Sequence, residues 1–151
     1  MDKIVDRESL VGELNQKLGN CAEIFEDNTN QSIKVKPEKI VEVMKELRDN
    51  PKYDFKALMN LSSVDYPENF TVVYHLNSIS YYHKLTVKVE LDKAKPEVQS
   101  ITSVWTAANV QEREAYDLMG IIFTGHPNLK RILLADDWVG HPLRKDFKLQ
   151  A

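Results

Sequence analysis

The sequence predicts an α+β fold in two layers, about three helices packed on a mostly antiparallel sheet, followed by an extended C-terminal arm. Three observations carry this reading. Leucines recur at four-residue spacing near the N-terminus, the middle of the chain alternates with a period of two, and beyond Gly125 neither period is sustained. The expected division is a body over 1–124 and an arm over 125–151. A chain of 151 residues suits one domain, large enough to bury its core without disulfides.

The first helix is expected from about Asp6 to Leu18, with Leu10, Leu14 and Leu18 on one face and Gly19 as its stop. Ala22–Asp27 reads as a strand, Asn28-Thr29-Asn30 as a turn, and Ser32–Lys36 as a second strand. Pro37 suits the first turn of a second helix with Ile40, Met44 and Leu47 on its face, ending near Asn50-Pro51. Phe55–Val64, Phe70–Leu76 and Tyr81–Leu91 are rich in β-branched and aromatic residues, and the breaks between them suggest an antiparallel meander. In the last of them Leu85, Val87, Val89 and Leu91 share one face, with Thr86, Lys88 and Glu90 on the other. A short strand is expected at Val98–Val104 and a third helix at about Ala107–Met119, with Gly120 just past its end. One more strand is expected at Ile121–Phe123.

Composition excludes several roles. A net charge of −3 gives no reason to expect nucleic acid as the main partner. The single cysteine, Cys21, forms no internal disulfide, and the chain cannot alone hold an iron–sulfur cluster, which usually takes four thiolates. The five glycines form neither a dinucleotide-binding fingerprint nor a phosphate loop. No apolar run reaches the length of a bilayer span and no signal-peptide pattern opens the chain, so a cytosolic place is expected, free or on something larger.

The arm reads differently from the body. Fully extended it could reach roughly 90 Å, against a radius of gyration of about 15 Å for a domain of this length. It carries Leu129, Ile132, Leu133, Leu134, Trp138, Leu143 and Phe147 without a regular period, so these side chains cannot build a core of their own. Either they fold back onto the sheet or they lie in another protein's groove. From His126 onward the arm holds a charge of +2 against −5 for the rest, which suits an acidic groove.

The run Glu112-Arg113-Glu114-Ala115-Tyr116-Asp117-Leu118-Met119-Gly120-Ile121 is followed by Phe123-Thr124-Gly125-His126-Pro127. Then come Arg131-Ile132-Leu133-Leu134 and Asp136-Asp137-Trp138-Val139-Gly140-His141-Pro142-Leu143-Arg144-Lys145-Asp146-Phe147. Over about 36 residues in fixed order this resembles the thirty-kilodalton C subunit of respiratory complex I, the proton-pumping NADH:quinone oxidoreductase. Val73-Tyr74-His75-Leu76 and Ser103-Val104-Trp105-Thr106-Ala107-Ala108-Asn109 agree upstream; Val110, Met119 and Asn128 depart from the usual pattern. The resemblance implies a non-catalytic scaffold with no cofactor, in the hydrophilic arm of the complex on the cytoplasmic side of the energy-transducing membrane. Its extended segment would wrap the quinone-site subunit beside neighbouring iron–sulfur subunits. A related complex, such as a deazaflavin-dependent dehydrogenase or a membrane-bound hydrogenase, would use the same scaffold.

Within the arm, Trp138 and Phe147 are the expected hydrophobic anchors and Arg144 a desolvated charge between them. Leu129, Arg131, Leu143 and Lys145 complete the expected partner interface. Glu114 and Arg113 are the expected anchors of the arm on the body. In the third helix Ala107, Val110, Glu114 and Leu118 fall on one stripe, and a buried Glu114 would need a guanidinium from Arg131 or Arg144. The competing reading is a free-standing metal-dependent enzyme built on His126 and His141 with Asp136, Asp137 and Cys21. The two histidines lie 15 residues apart, each between Gly and Pro, which favours turns over ligation. Asp136-Asp137 suits paired acid–base work poorly, because neighbours in an extended chain face opposite ways.

Overall fold

The computed structural model describes residues 6–27 and 31–148. The turn expected at Asn28-Thr29-Asn30 lies outside them. Helix α1 (Arg7–Leu18) starts at Asp6, whose carboxylate accepts the Ser9 N–H, and ends at Gly19; Leu10 and Leu14 are buried. Strands β1 (Ala22–Ile24) and β2 (Ser32–Val35) are antiparallel. Pro37 opens a 3-10 turn, Pro37–Lys39, that leads into α2 (Ile40–Asp49), where Ile40, Val43, Met44 and Leu47 are buried.

The meander is present as β3 (Ala57–Asp65), β4 (Phe70–Ser78) and β5 (His83–Leu91), each antiparallel to the next. In β5 the alternation holds: Leu85, Val87, Val89 and Leu91 are buried while the residues between them reach solvent. β2 joins β5 in parallel, so the five-stranded sheet runs β1-β2-β5-β4-β3. Helix α1 lies on β1 and β2, α2 on α1, and α3 (Ala108–Met119) on β3, with one continuous core between them.

Two features depart from the expectations. The strand expected at Val98–Val104 stops early, as β6 (Glu97–Gln99), which pairs in parallel with β7 (Ile122–Thr124) in a second, two-stranded sheet. Beyond Gln99 the chain turns because Glu112 of α3 takes two donors there. Its Oε1 accepts the Ile101 N–H at 2.8 Å, and its Oε2 accepts the Ser100 hydroxyl at 2.7 Å. A backbone N–H held by a side chain is lost to a strand ladder.

The other departure is the phase of α3. Its buried stripe is Ala108, Glu112, Ala115 and Met119, while Val110 is 48% exposed and Glu114 sits at the half-exposed edge. Both stripes have helical spacing and each holds one glutamate. The small side chains of Ala108 and Ala115 let α3 come close to β3. Gln111 then accepts the Leu61 N–H at 2.6 Å, closing part of an otherwise open sheet edge.

Candidate partner interface: the arm laid over the end of helix α3

An α-helix leaves its last carbonyls without intrahelical partners, and its C-terminal end carries partial negative charge. In α3 the Tyr116 carbonyl accepts the Gly120 N–H at 2.8 Å, with Gly120 in the left-handed conformation. The next three carbonyls are all met by the arm. Asp117 O accepts from Arg131 Nη1 at 3.1 Å and from His141 Nδ1 at 3.0 Å. Leu118 O accepts the Leu143 N–H at 2.9 Å, and Met119 O accepts from Arg144 Nε at 2.6 Å. The last turn of α3 has no basic residue of its own. The arm supplies two guanidinium groups there, where the helix dipole favours cations.

The Asp117 side chain is the second half of the clasp. It is fully buried, and its Oδ1 pairs with Arg131 at 2.7 Å. Its Oδ2 accepts three successive backbone N–H groups, from Ile132 (3.1 Å), Leu133 (2.8 Å) and Leu134 (3.0 Å). Burial pushes this carboxyl up, but the three backbone donors and Arg131 outweigh it and hold it below its ordinary value. Arg131 also donates to Gly140 O at 2.9 Å, closing the segment between them into a loop. Arg113 donates to the Lys130 and Arg131 carbonyls at 3.2 and 3.1 Å.

The contact expected between Glu114 and Arg131 or Arg144 does not form. Arg131 meets Asp117, one turn further along, and Arg144 meets the Met119 carbonyl. The signal for Asp117 was present in the sequence. A carboxylate in the last turn opposes the helix dipole, so it needs a cation, and the last turn of α3 has none.

Glycines allow the arm its close approach. A Cβ on Gly120 would stand 2.6 Å from Arg144 Nη2 and 2.7 Å from the His141 ring; one on Gly140 would stand 2.9 Å from the Phe147 ring. From Gly125 to Lys148 the arm has no helix or strand, and none of these residues is buried. Rather than reaching beyond the body, it runs back along α3 to the end of β3, where Asp65 accepts the Lys145 N–H at 2.9 Å.

The residues expected at an interface therefore divide. Leu129 packs partly against the core, Phe147 lies half-buried against Gly140, and Arg131 faces inward to Asp117. Trp138 (39%) and Leu143 (58%) are exposed, together with Leu133 (60%) and Val139 (79%). Leu143 lines a hollow of ≈ 200 Å³ with β3 and α3 residues that include Glu114. Arg144 stacks on Phe70, 5.0 Å from the ring centre, and the Lys145 side chain is exposed.

The two histidines turn to the backbone. His126 donates from Nε2 to Asn109 O at 3.0 Å while its Nδ1 accepts the Asn128 N–H, and His141 donates to Asp117 O. Cys21 is buried at the start of β1. Among the described residues no group of three or more His, Cys, Asp or Glu side chains is placed to hold a metal ion.

Comparison with known proteins finds relatives of this chain in sequence and in fold. The family model for the respiratory-chain NADH dehydrogenase 30 Kd subunit matches residues 33–151. The NADH-quinone oxidoreductase C subunit of Moorella thermoacetica is 50% identical over 137 residues, covering 89% of this chain and 91% of that protein. The C subunit of Roseiflexus sp. is 50% identical over 123 residues, covering 80% and 71%. Among solved structures, a trypsin-resistant fragment of Nqo5 superposes with a TM-score of 0.63 at 30% identity, covering 83% of this chain and all of that one. A structure of an archaeal respiratory membrane complex, the membrane-bound sulfane sulfur reductase, shares the fold with a TM-score of 0.73 at 22% identity, covering 96% and 87%. The clasped arm is built from the same residues that carry the resemblance, and the chain belongs to the family of the respiratory-chain NADH dehydrogenase 30 Kd subunit, the C subunit of NADH-quinone oxidoreductase.

Proposed function

We propose that this chain is a non-catalytic scaffold of an NADH:quinone oxidoreductase, docking through its arm on the quinone-site subunit and ordering the neighbouring iron–sulfur subunits. One observation carries the reading: the arm turns its polar groups toward α3 and presents Leu133, Trp138, Val139 and Leu143 to solvent. An apolar side chain gains roughly 1.5–3 kcal/mol on full burial, and these four find no such burial on their own body. A partner surface supplies it. Among the described residues no helix is long and apolar enough to cross a membrane. The reading includes a peripheral place on the cytoplasmic side of the energy-transducing membrane, with electron transfer carried by cofactors on other subunits.

Trp138→Ala combined with Leu143→Ala tests the reading. Co-purification with the quinone-site subunit should fall by at least about thirtyfold, the effect of losing roughly 2 kcal/mol at an interface hot spot. Co-purification at the wild-type level would refute docking through the arm. NADH turnover by the isolated chain would refute the non-catalytic role.

A further inference from the structure

Beside the exposed apolar side chains, where the arm meets the end of β3 and the start of β4, lies a hollow of ≈ 310 Å³. Asp65, Phe70, Lys93, Arg144, Lys145 and Asp146 line it. We propose that this hollow is a socket for a single carboxylate, an aspartate or glutamate side chain of the neighbouring subunit. The proposal rests on the docking reading above and names the chemistry at its centre.

Four observations support it. Two cations share one aromatic ring: Lys93 Nζ lies 5.2 Å and Arg144 Cζ 5.0 Å from the centre of Phe70. Arg144 is held through Nε by the Met119 carbonyl, which fixes the guanidinium. Neither terminal nitrogen of Arg144 donates a hydrogen bond to a described residue; Nη2 packs against Gly120 beside His141, which leaves Nη1 for an incoming carboxylate. The carboxylate already present, Asp65, is matched by Lys93 at 2.6 Å and by the Lys145 N–H at 2.9 Å.

The lining therefore holds three cations against two carboxylates, one positive charge in excess. That remainder fits a singly charged carboxylate. A phosphate dianion would meet Asp65 and Asp146 as well as the cations, and the pair of like charges disfavours it. The apolar floor offered by Phe70 suits the methylene stem of an acidic side chain, and the half-buried position of Arg144 strengthens the pairing relative to a surface ion pair.

The assembled complex provides the test. A zero-length carbodiimide coupling, read by mass spectrometry of the digested complex, should join Lys145 Nζ to an aspartate or glutamate of another subunit. Arg144→Gln should lower co-purification by about tenfold or more at raised salt, with Arg144→Lys retaining part of it. Lys145→Gln, at a side chain with no ion pair among the described residues, should weaken co-purification severalfold at an unchanged melting temperature, which separates loss of binding from misfolding. Coupling of Lys145 only to Asp65 or Asp146, with both variants retained as wild type, would overturn the socket. If the Trp138 and Leu143 double variant is lost while those variants stay, the socket falls and docking stands. If the double variant and a chain ending at Thr124 both stay, the docking reading falls and the socket with it.

Discussion

In β5, Leu85, Val87, Val89 and Leu91 are buried, and Lys88 and Glu90 reach outward. In the arm the assignment is reversed: Asp117 gathers the backbone of residues 132–134 and Arg131 inward, while Leu133, Trp138, Val139 and Leu143 stand in solvent. The sheet is held by removing apolar surface from water, the arm by satisfying polar groups at a helix end. Attachment of the arm and recognition by it therefore rest on different side chains and can be separated by mutation.

The largest effect is expected at the clasp. Asp117→Asn leaves the Arg131 side chain, only 12% exposed, without its counter-charge and should cost about 3–5 kcal/mol in denaturant unfolding. Proteolysis at Lys130 and Arg131 should quicken. A midpoint equal to wild type would break the comparison at its root. Next is Gly120→Ala, at a φ of +77° with Arg144 Nη2 2.6 Å from the new Cβ. Its expected cost is about 1–3 kcal/mol, and it should free the Leu143 amide to exchange.

The pH response should distinguish the two regions by sign. Burial pushes Glu112 in the body up to about 7, against the pull of Ser100 and Ile101. A folded-state value above the unfolded one means that this contribution is complete below the ordinary carboxylate value and is lost as pH rises through about 7. The decline cannot exceed about 1.4 kcal/mol per pH unit for one group. Glu112→Gln should remove that slope in stability measured across pH. Asp117 runs the other way: its value is held low, so the clasp is complete at neutral pH and weakens as acid protonates it. Protection of the amides of 132–134 against exchange, relative to the unfolded chain at the same pH, should fall only in acid. The smallest effect belongs to the exposed apolar residues. Trp138→Ala with Leu143→Ala should alter the stability of the isolated chain by no more than about 0.5 kcal/mol. A loss several times larger would place these side chains in the fold rather than at an interface.

Much of the body was legible in the sequence because its signals are local. The leucine spacing set α1 between Asp6 and Gly19, the period of two set β5, and Gly120 marked the end of α3. The arm was legible as a change of pattern at Gly125, and its exposed Trp138 and Leu143 were among the residues expected at an interface. The anchor was not. Glu114 and Glu112 sit two residues apart on stripes of equal spacing, and only the close approach allowed by Ala108 and Ala115 turned Glu112 inward. Arg131 then found Asp117.

By itself the sequence determined the order of helices and strands, the alternating core face of the sheet, the family, and the boundary where regular structure ends. Tertiary structure decided the parallel joining of β2 to β5, the small β6–β7 sheet, the phase of α3 and the path of the arm back along it. The division follows from range: periodicity and capping act over a few residues. Which carbonyl meets Arg131, His141, Leu143 or Arg144 depends on segments 14 to 25 residues apart being brought together by the fold.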